Sequence, residues 1–230
     1  MNSARRALIL VGSPKSGNSA SGTFASHIVE NLTVKAFDVE VLRVNQMLRS
    51  DENIQSMIES FDNADALVVV FPLYIDSLPA GLTRTLELLA AHRRSLPNPK
   101  KQQLLAICQS GFPESQQSDT ALGISRLFCR DAGIEWTGGL AFGGGGMLEG
   151  RELKKMGGMV KNIVKALDLA CSDLADGRPI SQEAVTLMAK PIMPRWLYIA
   201  GGHFGWKQLA KKNQASSRLH DRPYVDWNMK

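Results

Sequence analysis

The chain has 230 residues, of which 44% are hydrophobic, 21% charged and 7% aromatic, a make-up that excludes disordered, collagen-like and fibrous classes and fits one large or two small domains. A chain of this length buries about 70% of its unfolded surface and needs no disulfides to hold a core. Its net charge of +5 sits at one end: residues 1–190 carry 20 basic and 20 acidic side chains, whereas residues 191–230 carry seven basic against two acidic.

Along the chain, apolar runs recur at 7–11, 37–44, 66–71, 104–108 and 134–142. The first ends at once in Gly-Ser-Pro-Lys, which is neither a secretory h-region nor a cleavage site. The longest apolar stretch, 66–75, contains Pro72 and falls short of the roughly 20 residues of a membrane span. Between the runs lie helical stripes. Phe24, Ile28 and Leu32 write the first, Leu82, Leu86 and Leu89 the second, and Leu122, Leu127 and Phe128 a less regular third. A long fourth helix is predicted from Leu153, Met156, Val160, Ile163, Val164, Leu167 and Leu174. Strands alternating with helices at this spacing imply βαβ units, because parallel neighbours are joined by crossovers. Runs apolar on both faces imply a sheet covered on both sides. The expected fold is a doubly wound α/β sheet of five parallel strands, in which ligands bind beyond the carboxyl ends of the strands.

The segments after each run therefore carry the functional reading. The first is Gly12-Ser13-Pro14-Lys15-Ser16-Gly17-Asn18-Ser19, a small-residue turn between a strand and a helix N-terminus, where free N–H groups and the helix dipole favour an anion. Its G-x-x-x-x-G spacing is close to a Walker A motif, but Asn18 stands where the phosphate-reading lysine belongs, and the G-x-G-x-x-G dinucleotide fingerprint is also missing. One terminal phosphate suits it better than a triphosphate. After the third run, Pro72, Leu73, Tyr74 and Ile75 offer apolar surface for a planar ligand, with Ser77 a candidate cap and Pro79 suited to the first helical turn. The fourth run ends in Ser110-Gly111-Phe112 on the same edge. Together the three loops outline an elongated mononucleotide pocket. Gly143-Gly144-Gly145-Gly146 after the fifth run either admits a substrate close to the backbone or is a bare flexible loop.

These residues resemble the flavodoxin-like superfamily, and within it the NAD(P)H-dependent FMN reductases and multimeric flavodoxin-type oxidoreductases. The likeness rests on the 12–19 loop and on Pro72-Leu73-Tyr74-Ile75 with Pro79-Ala80-Gly81-Leu82. It implies strand order 2-1-3-4-5 and an FMN domain over residues 1–177. It also implies that Ser13, Lys15, Ser16, Gly17, Asn18 and Ser19 hold the FMN phosphate, that Pro72, Leu73, Tyr74 and Ile75 line the flavin ring, and that Ser110, Gly111 and Phe112 close its other side. The implied activity is hydride transfer from NAD(P)H to flavin and onward to a small acceptor such as a quinone, in a dimer or tetramer. The chain departs from the family at Leu82-Thr83-Arg84-Thr85-Leu86-Glu87, where subunit contacts are made elsewhere.

The flavin would carry the redox chemistry, so no catalytic side chain is named. Cys108, Cys129 and Cys171 form no C-x-x-C pair and leave an odd number for bridging. His27, His92, His203 and His220 show no metal spacing, with His27 expected to be surface or half-buried on the first helix rather than functional. No metal is expected, and the cytoplasm is the expected location. The alternatives are a flavodoxin-type electron carrier and a non-catalytic interaction module; acidic carriers differ from this neutral body and basic tail. The extension 178–230 is expected to pack on the domain or a partner subunit. Arg195, Trp196, Tyr198, Phe204, Trp206 and Lys207 also give 191–212 the composition of a membrane-surface segment. Nucleic acid is not expected, since the basic residues form no continuous stripe.

Overall fold

The structure, a computed structural model, describes residues 4–15, 18–148 and 150–222. Five strands, β1 Arg5–Val11, β2 Phe37–Arg43, β3 Ala66–Pro72, β4 Gln103–Ser110 and β5 Glu135–Gly143, form one parallel sheet in the order β2-β1-β3-β4-β5. The helices are α1 Ala20–Val34, the single turn α2 Val44–Met47, α3 Asp51–Asn63, α4 Ala80–Ser95, α5 Asp119–Ala132, α6 Lys161–Ala175, α7 Gln182–Ala189 and α8 Arg195–Lys212.

Strand side chains alternate between two apolar layers. Val68 and Val70 of β3 join Ile9, Ile107 and Phe142 beneath α1, α6 and α7, while Leu67, Val69 and Phe71 join Leu8, Leu10 and Leu104 beneath α3, α4 and α5. Every residue of β3 is buried, as the doubly covered centre of such a sheet requires. Phe24 of α1 meets Phe142 of β5 edge to face, with centroids 5.7 Å apart.

Local chemistry sets the helix ends. Ser19 caps α1 by accepting from Gly22 N at 3.1 Å, and Ser50 caps α3 by accepting from Asn53 N at 3.3 Å, with Asp51 and Glu52 in the positive first turn. Helix α3, which the sequence reading passed over, carries the apolar stripe Ile54, Met57, Ile58 and Phe61, of which Met57 and Phe61 are fully buried; its Ser-Asp-Glu start was a second legible signal. The long fourth helix is corrected: Leu153–Val160 is 3₁₀, interrupted at Gly157 (φ 60°), and α6 begins only at Lys161. The Gly157-Gly158 pair costs too much backbone entropy for an unbroken helix. On α5, Leu127 turns to solvent (50% exposed), and the small residues Ala121, Ser125, Cys129 and Ala132 face inward with Phe128.

One compact unit runs to Ile192 and a second from Met193 onward. The first stretch of the extension expected from residue 178 thus belongs to the sheet unit, where α7 buries Ala184, Leu187 and Met188 in the α1/α6 layer. In the second unit, α8 carries Trp196, Tyr198, Phe204 and Trp206 and no acidic residue. No helix among the described residues is long and apolar enough to cross a membrane.

The edge of the sheet opposite the strand carboxyl ends is fastened by Arg93, which is 3% exposed. Its guanidinium donates to Ala132 O at 2.9 Å, to Gln102 Oε1 at 2.5 Å and to Lys100 O at 2.5 Å. Arg93→Met keeps the stem but strands these acceptors, so the substitution is expected to cost about 3 kcal/mol. Urea unfolding checks it, with a lower midpoint at an unchanged m-value.

Candidate functional site

Four strand ends and the start of α1 enclose a cleft of about 190 Å³ lined by Ser13, Lys15, Asn18, Ser19, Pro72, Leu73, Tyr74, Gln109, Gly111, Gly145 and Gly146, with Ala20 at its base. Its loops are tied to the sheet and to each other: Gly12 N donates to Val70 O at 2.9 Å, Leu73 N to Gln109 O at 2.8 Å and Gly144 N to Phe112 O at 2.7 Å. The cleft is therefore built on loops anchored to the sheet.

At one end lies the N-terminus of α1. Ser19 Oγ accepts from Gly22 N and Ser13 Oγ from Lys15 N at 3.4 Å, so both oxygens brace the turn while each keeps its O–H as a donor. Gly22 N is capped and Thr23 N bonds Ser19 O at 2.9 Å; the helix geometry leaves the N–H groups of Ala20 and Ser21 without intrahelical acceptors. Lys15 and Asn18 are exposed beside them. Ser16 and Gly17, expected in the same cradle, lie outside the described residues.

At the other end the wall is apolar. Pro72 is buried, Leu73 half-buried and Tyr74 44% exposed. Tyr74 and Ser77 exchange two 3.0 Å backbone bonds around Ile75 (φ 49°) and Asp76 (φ 55°), a type I′ geometry. The turn holds a β-branched residue at positive φ, a strained state, and carries Ile75 away from the cleft to 99% exposure. Ser77 is engaged in this turn and does not cap α4, whose cap position is Pro79. Of the three residues expected to close the other side, only Gly111 lines the cleft. Ser110 is buried with its hydroxyl on Phe112 O at 3.4 Å, and Phe112 points outward at 51% exposure.

Ala20 and Gln109 are the lining residues that the sequence reading left out, and Gly145 and Gly146, for which it kept two alternatives open, line the cleft as well. The glycine run is packed rather than bare: Gly144 sits at φ 87°, and a Cβ on Gly145 would come within 2.8 Å of Gln109 Cδ. That crowding was invisible in the sequence because it depends on β4 and β5 lying side by side.

The thiols are withdrawn from solvent in this arrangement. Cys108, Cys129 and Cys171 are buried, and burial pushes each thiol up to about 12. His27 is 8% exposed, deeper than the surface or half-buried position expected, and bonds Asp168 Oδ1 at 2.8 Å; His92 bonds Asp62 Oδ2 at 2.8 Å. No group of three or more potential metal ligands occurs among the described residues. The native protein is expected to leave a chromogenic disulfide reagent unreacted at neutral pH and to titrate three thiols per chain once unfolded.

Comparison with known proteins places this geometry. A family model for the flavodoxin-like fold matches residues 5–151. An oxidoreductase from Corynebacterium diphtheriae is 16% identical, with 76% of this chain and 97% of that chain aligned at a TM-score of 0.57. An NAD(P)H:quinone oxidoreductase from Methanothermobacter marburgensis is 17% identical over 75% and 96% of the two chains at 0.55. An FMN-dependent NADH-azoreductase from Bacillus anthracis in complex with FMN is 15% identical over 74% and 99% at 0.53. At such identities the likeness is one of fold. No curated protein matches the sequence significantly.

Proposed function

Since the chain belongs to the flavodoxin-like fold family, we propose that it is an FMN-dependent NAD(P)H oxidoreductase with the cofactor in the cleft described above. The observation that carries this reading is the pairing, in one cleft, of a helix N-terminus with a flat apolar wall. The same fold holds FMN in the azoreductase and serves a quinone oxidoreductase, which supports the cofactor and a small acceptor such as a quinone. When bound, the flavin supplies the redox chemistry, taking hydride from the nicotinamide and giving electrons to the acceptor.

The chain's own residues bind and orient. Lys15, Asn18 and the first N–H groups of α1 neutralise a terminal phosphate at the positive end of the helix dipole. Pro72, Leu73 and Tyr74 give a planar ring system an apolar surface, and Gly111, Gly145 and Gly146 leave room for it opposite. Ile75, Tyr74 and Phe112 stand exposed beside the cleft, which supports a homo-oligomer in which a second copy covers this rim. Three free buried thiols fit a reducing compartment such as the cytoplasm.

The visible spectrum of the protein, desalted after incubation with FMN, tests the reading. A retained flavin band bleached anaerobically by NADH or NADPH is the expected result. A band that neither donor bleaches would point to an electron carrier, and no retained band would overturn the assignment. Lys15→Ala is expected to raise the FMN dissociation constant on the order of tenfold, about 1.4 kcal/mol, and to leave riboflavin, which lacks the phosphate, unaffected.

A further inference from the structure

Among the described residues, none of the second unit lines the cleft. In that unit α8 exposes Trp196 (70%), Leu197, Ile199, Phe204 (65%), Trp206 (73%) and Leu209, and Ala210 is the one buried residue of the helix. At the helical turn of 3.6 residues, Trp196, Ile199 and Trp206 share one side, Leu197 and Phe204 a second, and Leu209 stands on a third. Apolar side chains thus surround the span 196–209. A helix apolar on every side is stable only where something other than water covers it.

Charge decides what the cover is. Among residues 193–222 six basic side chains stand against one acidic, and that one, Asp221, pairs with Arg218 at 2.8 Å. On α8 itself Arg195 precedes the aromatic span, Lys207 stands near its end, and Lys211 and Lys212 follow it. A second copy of α8 would set the same cations against these, and it carries no acidic residue to answer them. Nucleic acid would answer the cations and leave Leu197, Ile199 and Leu209 in water. A lipid surface with anionic headgroups satisfies both: rings and aliphatics enter the boundary between headgroups and acyl chains, Trp196 and Trp206 sit at headgroup depth, and the long basic side chains reach the phosphates.

The unit also holds a recess of matching chemistry. Between α8 and the 3₁₀ turn Ser216–Arg218 runs a groove of about 460 Å³ lined by Phe204, Lys207, Gln208, Lys211, Ser216 and Leu219. Phe204, Lys207 and Lys211, spaced i, i+3 and i+7, share one side of the helix. Apolar groups therefore lie beside two ammonium groups, the order in which an anionic phospholipid presents its acyl chain and its phosphate. We propose that the second unit is a docking surface for anionic lipid bilayers, with α8 lying in the headgroup boundary and Lys207 and Lys211 on lipid phosphates. The docking does not rest on the flavin reading; together with it, docking would bring the chain to apolar acceptors dissolved in the bilayer.

The experiment is co-sedimentation of the full chain with vesicles of phosphatidylcholine alone and of phosphatidylcholine with phosphatidylglycerol at about a third of the lipid, read also by tryptophan emission. Uptake by the anionic vesicles only, with a blue shift of the emission, is the expected result. Lys207→Gln/Lys211→Gln/Lys212→Gln is expected to lower the partition coefficient about a hundredfold, and Trp196→Ala/Trp206→Ala at least about tenfold with loss of the blue shift. Lys101→Gln/Arg130→Gln/Lys161→Gln, which removes the same charge from the first unit, is expected to bind as the wild type does. All the exchanged side chains are exposed, so each variant is expected to keep the wild-type circular dichroism. Uptake by neither vesicle, equal uptake by both, or an equal loss in the first-unit variant overturns the proposal. A dimer that dissociates in Trp196→Ala/Trp206→Ala, without vesicle uptake, overturns it in favour of a second copy, and tighter binding of duplex DNA than of anionic vesicles overturns it in favour of nucleic acid.

Discussion

The structure depends on one constraint: a parallel sheet apolar on both faces must be covered twice, and each crossover that covers it returns the chain to start the next strand in the same direction. Val68 and Val70 cannot reach one helical layer without Leu67, Val69 and Phe71 reaching the other. All five carboxyl ends consequently emerge at one edge. A cleft there follows from the packing of the core, before any side chain in it is considered.

The two edges of the sheet are finished differently. At the amino edge, Asp65 accepts from Arg6 N at 2.7 Å and pairs with Lys100 at 2.8 Å. Burial alone would raise its carboxyl, and these partners, led by Lys100, hold it below the usual range. Gln102 adds a bond to Ala64 O at 2.9 Å, and Gln103 one to Leu174 O at 2.7 Å. Side chains thus seal that end. At the carboxyl edge the loops are joined mainly through backbone groups, and their side chains are left to face a ligand. Strain accumulates on this side as well, in the Ile75-Asp76 turn.

Some hydroxyls at this edge also serve the scaffold. Ser19, at the start of α1, accepts from Gly22 N, and Ser110, at the end of β4, donates to Phe112 O, each bond fixing its loop. In the proposed reading the phosphate is met by backbone N–H groups together with Lys15 and Asn18. Thr23 is the reverse case, a buried hydroxyl that the scaffold leaves without a partner.

The sequence by itself determined the layered architecture and the edge on which a ligand belongs, because burial periodicity and small-residue turns are local properties of the chain. It also determined the phosphate-suited turn before α1 and the apolar segment after β3. Strand order came with the family resemblance, since periodicity does not say which strands are neighbours. Tertiary structure alone decided which loop residues face the cleft. Ile75 turns away because two consecutive residues adopt positive φ, and Gly145 and Gln109 enter because β5 lies beside β4.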